Sequence, residues 1–365
     1  MIEAALALED GSIFLGESFG AEADVAAEVV FNTGITGYQE VVTDPSYRGQ
    51  MVVMTHPQIG NYGVADSGDE SVRPWVSGLI VRELAEQPHH WESRTRLEDF
   101  LRTWNVPGLQ GIDTRALVRR LRQSGAQRGV LRHSSPSGFT SADLEELRMS
   151  AKVAPLVSQL DLVTGVSAVL PIQPSDDEIA VVDCGAKWNI LRSLERRGIR
   201  PQIFPWDTSA EQILEKHPRG ILITNGPGDP AKLPTIVEAL KKVVSSGTPV
   251  MGICLGHQLL GLAAGATTNR LPYGHHGGNH PVHDLRSGRV TITTQNHEFQ
   301  VVADTIPSSS GFEVSQVNLN DGSVEGLRHR ELPVFSVQYH PEGCPGPQDS
   351  QPLFDDFLEL TGIAE

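Results

Sequence analysis

The segment TPVMGICLGHQLLGLAAG (248–265) joins a short apolar run to a helical pattern through Gly252-Ile253-Cys254-Leu255-Gly256. The run TPVMGI (248–253) is almost continuously apolar, as expected of a strand buried on both faces of a parallel sheet. HQLLGLAAG (257–265) reads as a helix that stops at Gly265. The cysteine between them, with glycine two residues away on either side, is the thiol counterpart of the Gly-x-Ser-x-Gly elbow. A turn this tight needs glycines to avoid steric clash, and it lifts the central side chain above the sheet edge. The following helix aims its first N–H groups and its dipole at the sulfur, which stabilises negative charge there. A lone cysteine is more often buried and inert. Glycines on both sides of a strand–helix junction favour a nucleophile instead.

The same alternation runs upstream. IAVVDC (179–184), PQIFPW (201–206) and GILITNG (220–226) read as strands. KWNILRSLERRG (187–198), SAEQILEKH (209–217), opened by Ser209, and LPTIVEALKKVVSSG (233–247) read as helices. Strand–helix alternation of this length predicts an α/β domain, a mainly parallel sheet flanked by helices. After residue 266 the pattern turns strand-rich, with RVTITTQ (289–295), FEVSQVN (312–318) and PVFSVQYH (333–340), and PLFDDFLELTG (352–362) closes it as a helix.

The first half reads differently. AEVVFNTG (27–34), QMVVMTHPQIGNYG (50–63) and VSGLIVREL (76–84) are strand-like, and RLEDFLRTWNV (96–106) and DTRALVRRLRQSG (113–125) are helical. Asp113 and Gly125 suit the two caps of the second helix. Its face of Leu117, Val118 and Leu121 stands opposite Arg115, Arg119, Arg120 and Arg122, which with Arg128 read as a solvated face rather than a phosphate patch. PIQPSDDE (171–178) reads as a linker. The expected organisation is a smaller mixed α/β domain over 1–150, a linker over 151–177 and the sheet domain over 178–365.

Bulk properties agree. A chain of 365 residues suggests about two domains. A net charge of −16 argues against a nucleic-acid or anionic-membrane partner. Three cysteines, Cys184, Cys254 and Cys344, make no disulfide framework and suit a reducing compartment. MIEAALALEDG (1–11) is acidic where a secretory signal is basic, and residues 248–266 hold His257, Gln258 and four glycines, which suits no hydrocarbon span. The expected location is cytoplasmic.

In doubly wound sheets, sites form at the carboxyl ends of strands. Three such ends are unusual here: Asn225-Gly226-Pro227-Gly228-Asp229-Pro230, the Cys254 elbow, and Gln338-Tyr339-His340-Pro341-Glu342. A nucleophilic thiol needs a base. His340 ends a strand, and Glu342, one residue beyond Pro341, is placed to hold its tautomer. Attack on a carbonyl builds charge on oxygen, and the N–H of Leu255 and one from the Gly226-Pro227-Gly228 loop are candidate donors for it.

These three motifs in this order resemble the triad-type, class I glutamine amidotransferases over about 178–363. AEVVFNTGITGYQEVVTDPSYRGQ (27–50), GIDTRALVRRLR (111–122), GHHGGNHPV (274–282), TQNHEF (294–299) and PGPQDSQPLFDDF (345–357) extend the resemblance to the carbamoyl-phosphate synthetase small subunit family, over almost the whole chain. The resemblance implies a glutaminase with Cys254 as nucleophile, His340 as base then acid, Glu342 as its orienter, and Gly226 and Leu255 as oxyanion donors. It implies that L-glutamine is held by Ser46, Gly226, Gly228, Leu255, Gln258, Asn296, Glu298 and Phe299, at a domain interface. It further implies ammonia delivery to a large subunit that carries ATP and Mg and makes carbamoyl phosphate for arginine and pyrimidine biosynthesis. The small chain would bind no cofactor itself and would form a heterodimer open to higher assembly. Two positions depart from the family pattern: Glu298 and Tyr339 stand where glycine is frequent.

His275, His276, His280 and His283 crowd one segment, but its glycines and proline read as a loop and no metal is expected. Cys184 reads as core, and Cys344 has no role that its position requires. No Gly-x-x-x-x-Gly-Lys-Ser/Thr phosphate loop occurs, so ATP chemistry belongs on another chain.

Overall fold

A computed structural model describes residues 2–167 and 178–363. The chain divides into two compact units: Met1–Leu160 with Pro272–His276, and Asp161–Leu271 with Gly277–Glu365. Of the expected linker, 168–177 lies outside the described residues.

Unit 1 contains β1 (Glu3–Leu8), β2 (Ile13–Gly20), β3 (Val25–Asn32), β4 (Gln50–Met54), β5 (Gln58–Ile59), β6 (Gly78–Ile80), β7 (Glu83–Leu84), β8 (Pro107–Gln110) and β9 (Gln127–His133). Helices α1 (Tyr38–Thr43), α2 (Leu97–Thr103), α3 (Thr114–Ser124) and α4 (Ser141–Lys152) accompany them. The strands close a barrel in the order β1-β2-β8-β6-β4-β3-β9, and β5 pairs with β7 apart from it. The local patterns in the first half did not announce this barrel. EAALAL (3–8) is rich in alanine, a helix former, yet Ala4, Ala5 and Ala7 are fully buried in β1. Small side chains let the neighbouring strands approach. Gly16 shows the same crowding, since a Cβ there would lie 2.2 Å from the Gln110 carbonyl oxygen.

Helix α3 forms as its sequence suggests. Asp113 Oδ1 accepts the Ala116 N–H at 2.9 Å, and Gly125 ends the helix at φ 87°. Leu117 and Leu121 are buried, while Arg115, Arg119, Arg120 and Arg122 are exposed. Arg120 pairs with Asp10 at 2.8 Å.

Unit 2 contains β10 (Ile179–Asp183), β11 (Gln202–Pro205), β12 (Gly220–Ile223), β13 (Val250–Ile253), β14 (Thr268–Asp284, apart from its Pro272–His276 stretch, which belongs to unit 1), β15 (Val290–Val301), β16 (Phe312–Asn318), β17 (Val324–His329) and β18 (Val334–Val337). Its helices are α5 (Trp188–Glu195), α6 (Ala210–Leu214), α7 (Pro234–Ser245), α8 (Leu255–Ala263) and α9 (Pro352–Thr361). The sheet order is β11-β10-β12-β13-β18-β17-β16-β14-β15. From β11 to β18 all pairs are parallel, and β18-β17-β16-β14 continue antiparallel.

The buried strands feed two apolar layers. Ala180 and Val182 of β10 pack with α6, α7 and α8 residues such as Ile213, Leu240 and Leu259. Ile179 and Val181 pack with α5 and α9 residues such as Ile190, Leu194, Phe354 and Phe357. Ile221 and Leu222, neighbours in β12, divide between the layers in the same way and are both fully buried, worth about 1.5–3 kcal/mol each. This two-sided burial explains why these strands lack a polar/apolar alternation.

The histidine-rich segment corrects an expectation. It is not a loop but the middle of β14. Gly274 (φ 70°) and Gly277 (φ 137°) place the chain where a side chain would strain it, the mark of a bent strand. His276 packs in unit 1, its ring 5.9 Å from that of Tyr47 and its carbonyl accepting from Thr33 Oγ1 at 3.0 Å. Among the described residues no helix is long and apolar enough to cross a membrane.

Candidate active site

β13 and β18 are parallel neighbours with Ile253 opposite Val337, so Cys254 and His340 leave the sheet at the same end. Cys254 sits at φ 52°, ψ −102°, a conformation rare for any residue with a side chain. Two hydrogen bonds hold it there: Cys254 N–H to the Val337 carbonyl at 2.9 Å and Gly256 N–H to the Thr224 carbonyl at 3.1 Å. The glycines are required by contact. A Cβ on Gly252 would meet the Gly256 oxygen at 2.8 Å, and one on Gly256 would meet the Ile223 oxygen at 2.4 Å. Gly256→Ala is therefore expected to destabilise the chain by about 1–3 kcal/mol, read as a lower thermal midpoint. An unchanged midpoint would show that α8 can retreat from β12.

Cys254, His340 and Glu342 are all buried. His340 Nδ1 donates to Glu342 Oε1 at 2.6 Å, and Nε2 makes no hydrogen bond, which leaves it to exchange a proton with the sulfur. Burial alone would lower the His340 pKa, but the Glu342 carboxylate, with the Cys254 sulfur beside the ring, outweighs it and raises the pKa well above the ordinary value. Glu342 is held low, at about 2, despite a burial effect that raises it, because Lys187 and His340 face it.

Lys187 is a residue that sequence reading missed. It looks like an ordinary charged residue at a helix start, yet it is 2% exposed. Its Nζ lies 3.1 Å from Glu342 Oε1 and donates to the carbonyls of Gly343 at 3.1 Å and Cys344 at 2.6 Å. The one available signal was its place, four residues after a strand-end Asp183 beside two other active strand ends. Cys344 also gains a structural context, since Asn189 Nδ2 donates to its sulfur. Cys184 is fully buried, and burial, followed by the Asp183 charge, pushes its thiol pKa well up.

The predicted oxyanion pair is adjacent. Leu255 is the first residue of α8, so its N–H has no intrahelical acceptor. A Cβ on Gly226 would meet the Cys184 oxygen at 2.2 Å and Leu255 Cδ2 at 2.9 Å, so only glycine lets that loop close on the elbow. Gly228 adopts φ 96°. The Cys254 thiol donates to the Asn296 carbonyl at 3.7 Å, and Gln258 Nε2 donates to the Phe299 carbonyl at 2.8 Å and to Gln338 Oε1 at 3.2 Å. Gln338 in turn points its amide at Cys254 Sγ, 3.8 Å away.

Glu298 lies in β15, where extended backbone accepts any residue. Its carboxylate pairs with Arg270, whose Nε lies 3.0 Å from Oε2. Tyr339 is buried against Val282 and Val337. Ser46 belongs to unit 1, where its N–H donates to Asp44 Oδ1 at 2.9 Å in the turn Pro45–Tyr47.

Comparison with known proteins matches residues 180–360 to glutamine amidotransferase class-I. Residues 6–131 match the CPSase domain of the carbamoyl-phosphate synthase small chain. The carbamoyl phosphate synthase small chain of Symbiobacterium thermophilum is 49% identical over 97% of this chain and 97% of its own. That of Bacillus caldolyticus is 45% identical over 97% of this chain and 95% of its own. The pyrimidine-specific small chain of Bacillus subtilis is 44% identical over 99% of this chain and 96% of its own. With relatives this similar along nearly its full length, and with a class-I amidotransferase domain carrying the Cys254 elbow, the chain belongs to the carbamoyl-phosphate synthase small chain family.

Proposed function

We propose that this chain is the glutamine-hydrolysing subunit of carbamoyl-phosphate synthase. The observation that carries the reading is a strained, glycine-flanked Cys254 on one strand end with the 2.6 Å His340–Glu342 pair on the next. In the proposed reaction the Cys254 thiol proton passes to His340 Nε2, and the thiolate Sγ attacks the side-chain amide carbon of L-glutamine. The Leu255 and Gly226 N–H groups receive the charge on oxygen. His340 returns the proton to the departing nitrogen, ammonia leaves, and a thioester remains on Cys254. Water, deprotonated by the same imidazole, then releases glutamate and restores the thiol.

Ammonia then passes to the large subunit, which makes carbamoyl phosphate from bicarbonate and ATP in the cytoplasm, for arginine and pyrimidine synthesis. Gly228, Gln258, Asn296, Glu298, Phe299 and Ser46 are the further residues of the proposed glutamine site. The chain itself holds no cofactor in this scheme. ATP and Mg belong to the large subunit.

The test is copurification. Glutamate release is expected to be slow in the isolated chain and to rise at least about tenfold when a large ATP-using chain is bound, with ATP hydrolysis following glutamine addition. Full glutaminase activity in the isolated chain, unchanged by any partner, would point to an autonomous hydrolase instead.

A further inference from the structure

Next to the site, unit 2 contains a chain of buried polar side chains that the proposed reaction does not use. It begins at Glu325 on β17, which is fully buried. Its Oε1 accepts from Asn318 Nδ2 at 2.7 Å and its Oε2 from Gln295 Nε2 at 2.9 Å. The Asn318 amide is oriented by the Asn320 N–H, which donates to its Oδ1 at 3.0 Å, while His280 Nδ1 stands 3.4 Å from its Nδ2. Both carboxylate oxygens thus face N–H donors, the pattern of an ionised glutamate.

Gln295 passes the pattern to His297. Its Oε1 lies 2.9 Å from His297 Nε2, and on the other side of the ring Nδ1 lies 2.8 Å from the Phe299 carbonyl. A carbonyl oxygen only accepts. Both ring nitrogens must therefore donate, and an imidazole with two N–H groups is an imidazolium.

A neutral arrangement exists on paper: a protonated Glu325 donating to a turned-over Gln295, which donates to a neutral ring. Thr293 excludes it. Its hydroxyl gives its one proton to the His280 carbonyl at 2.9 Å, so its oxygen must accept from the Gln295 atom 3.0 Å away. That atom is consequently the amide nitrogen, which fixes the orientation of Gln295.

We propose that His297 is held as an imidazolium, with Glu325 as its buried counter-charge across the Gln295 amide, and that Glu325 is thereby a positioning residue for glutamine binding. A ring nitrogen of His297 lies within 4.8 Å of a Glu325 carboxylate oxygen, and this attraction, with two accepted N–H groups, offsets the desolvation of the charge. The consequence runs through the Phe299 carbonyl. It accepts from both His297 Nδ1 and Gln258 Nε2, and Gln258 connects through Gln338 to the Cys254 sulfur. The cation thus holds the carbonyl on which Gln258 is anchored. The binding half of the proposal rests on the glutaminase reading, and the protonation half stands without it.

Nitrogen-15 NMR of the full chain with labelled histidine tests it, with His297 assigned by the signal lost in His297→Asn. At about pH 8, where an ordinary imidazole has shed its second proton, His297 is expected to keep both nitrogens protonated. A single neutral tautomer in the native chain overturns the proposal, a result that needs no folded variant. Glu325→Gln is expected to raise the KM for glutamine about tenfold while kcat changes less than about threefold, and Glu325→Asp to recover part of the loss. An unchanged KM in Glu325→Gln overturns the positioning role. A native chain that hydrolyses no glutamine, with or without partner, sinks only the function proposed above and leaves the NMR result intact.

Discussion

Cys254→Ser is expected to reduce glutamine-dependent glutamate release by at least about a thousandfold, with ammonia-dependent synthesis by the assembled enzyme retained. The change removes one polarizable sulfur and substitutes a hydroxyl of nearly the same shape. The elbow backbone, held by Cys254 N–H on Val337 and Gly256 N–H on Thr224, has no reason to move. The loss therefore falls on chemistry rather than on folding, and a thermal midpoint close to the native one is the control. A variant that keeps its full glutamine-dependent rate would remove Cys254 from the reaction and leave His340–Glu342 without a nucleophile to serve.

Lys187→Met is expected to be damaging in a different way. The side chain is 2% exposed and its Nζ faces Glu342 Oε1 at 3.1 Å. Removing it leaves a buried carboxylate with one partner fewer and two carbonyls, of Gly343 and Cys344, without this donor. Breaking a buried pair from one side costs about 3–5 kcal/mol. Adding Glu342→Gln to Lys187→Met should return part of that stability while leaving glutaminase activity low, because the neutral amide no longer needs the cation. If the two losses simply add, the pair is not coupled.

The acid limb gives a second reading of the same contact. Folding lowers the Glu342 pKa from the usual 4.5 to about 2, so the native state releases that proton more readily than the unfolded chain. The stability tied to this group is complete above about pH 4.5 and is lost as pH falls toward about 2. Without Lys187 the depression shrinks, and acid unfolding should begin at higher pH.

What could be read from sequence follows the range of the interactions. The strands and helices from Ile179 to Gly265 are local patterns, each complete within a dozen residues, and Cys254, His340 and Glu342 occupy strand ends that such patterns reveal. The barrel of unit 1 is not local. Its ring closes through β1–β9 and β2–β8, pairs far apart in sequence, and its alanines argue for helix when read alone. β14 was hidden by its own glycines and proline, which mean loop in isolation and a bent strand in the fold. Lys187 and Glu325 were missed for a third reason. A charged side chain is normally solvated, and only the fold shows that each is buried against a specific partner.

The elbow is referenced to two strands at once, β18 through Val337 and the end of β12 through Thr224. Its height above the sheet is therefore a property of the whole parallel layer. A thioester forming on Cys254 cannot be relieved by a small slide of one turn, because any slide must shear two strands whose side chains are locked into opposite apolar layers. Glutamine must come to the sulfur, and whatever adjustment the reaction requires falls on the substrate, on the His340 ring and on the facing loops.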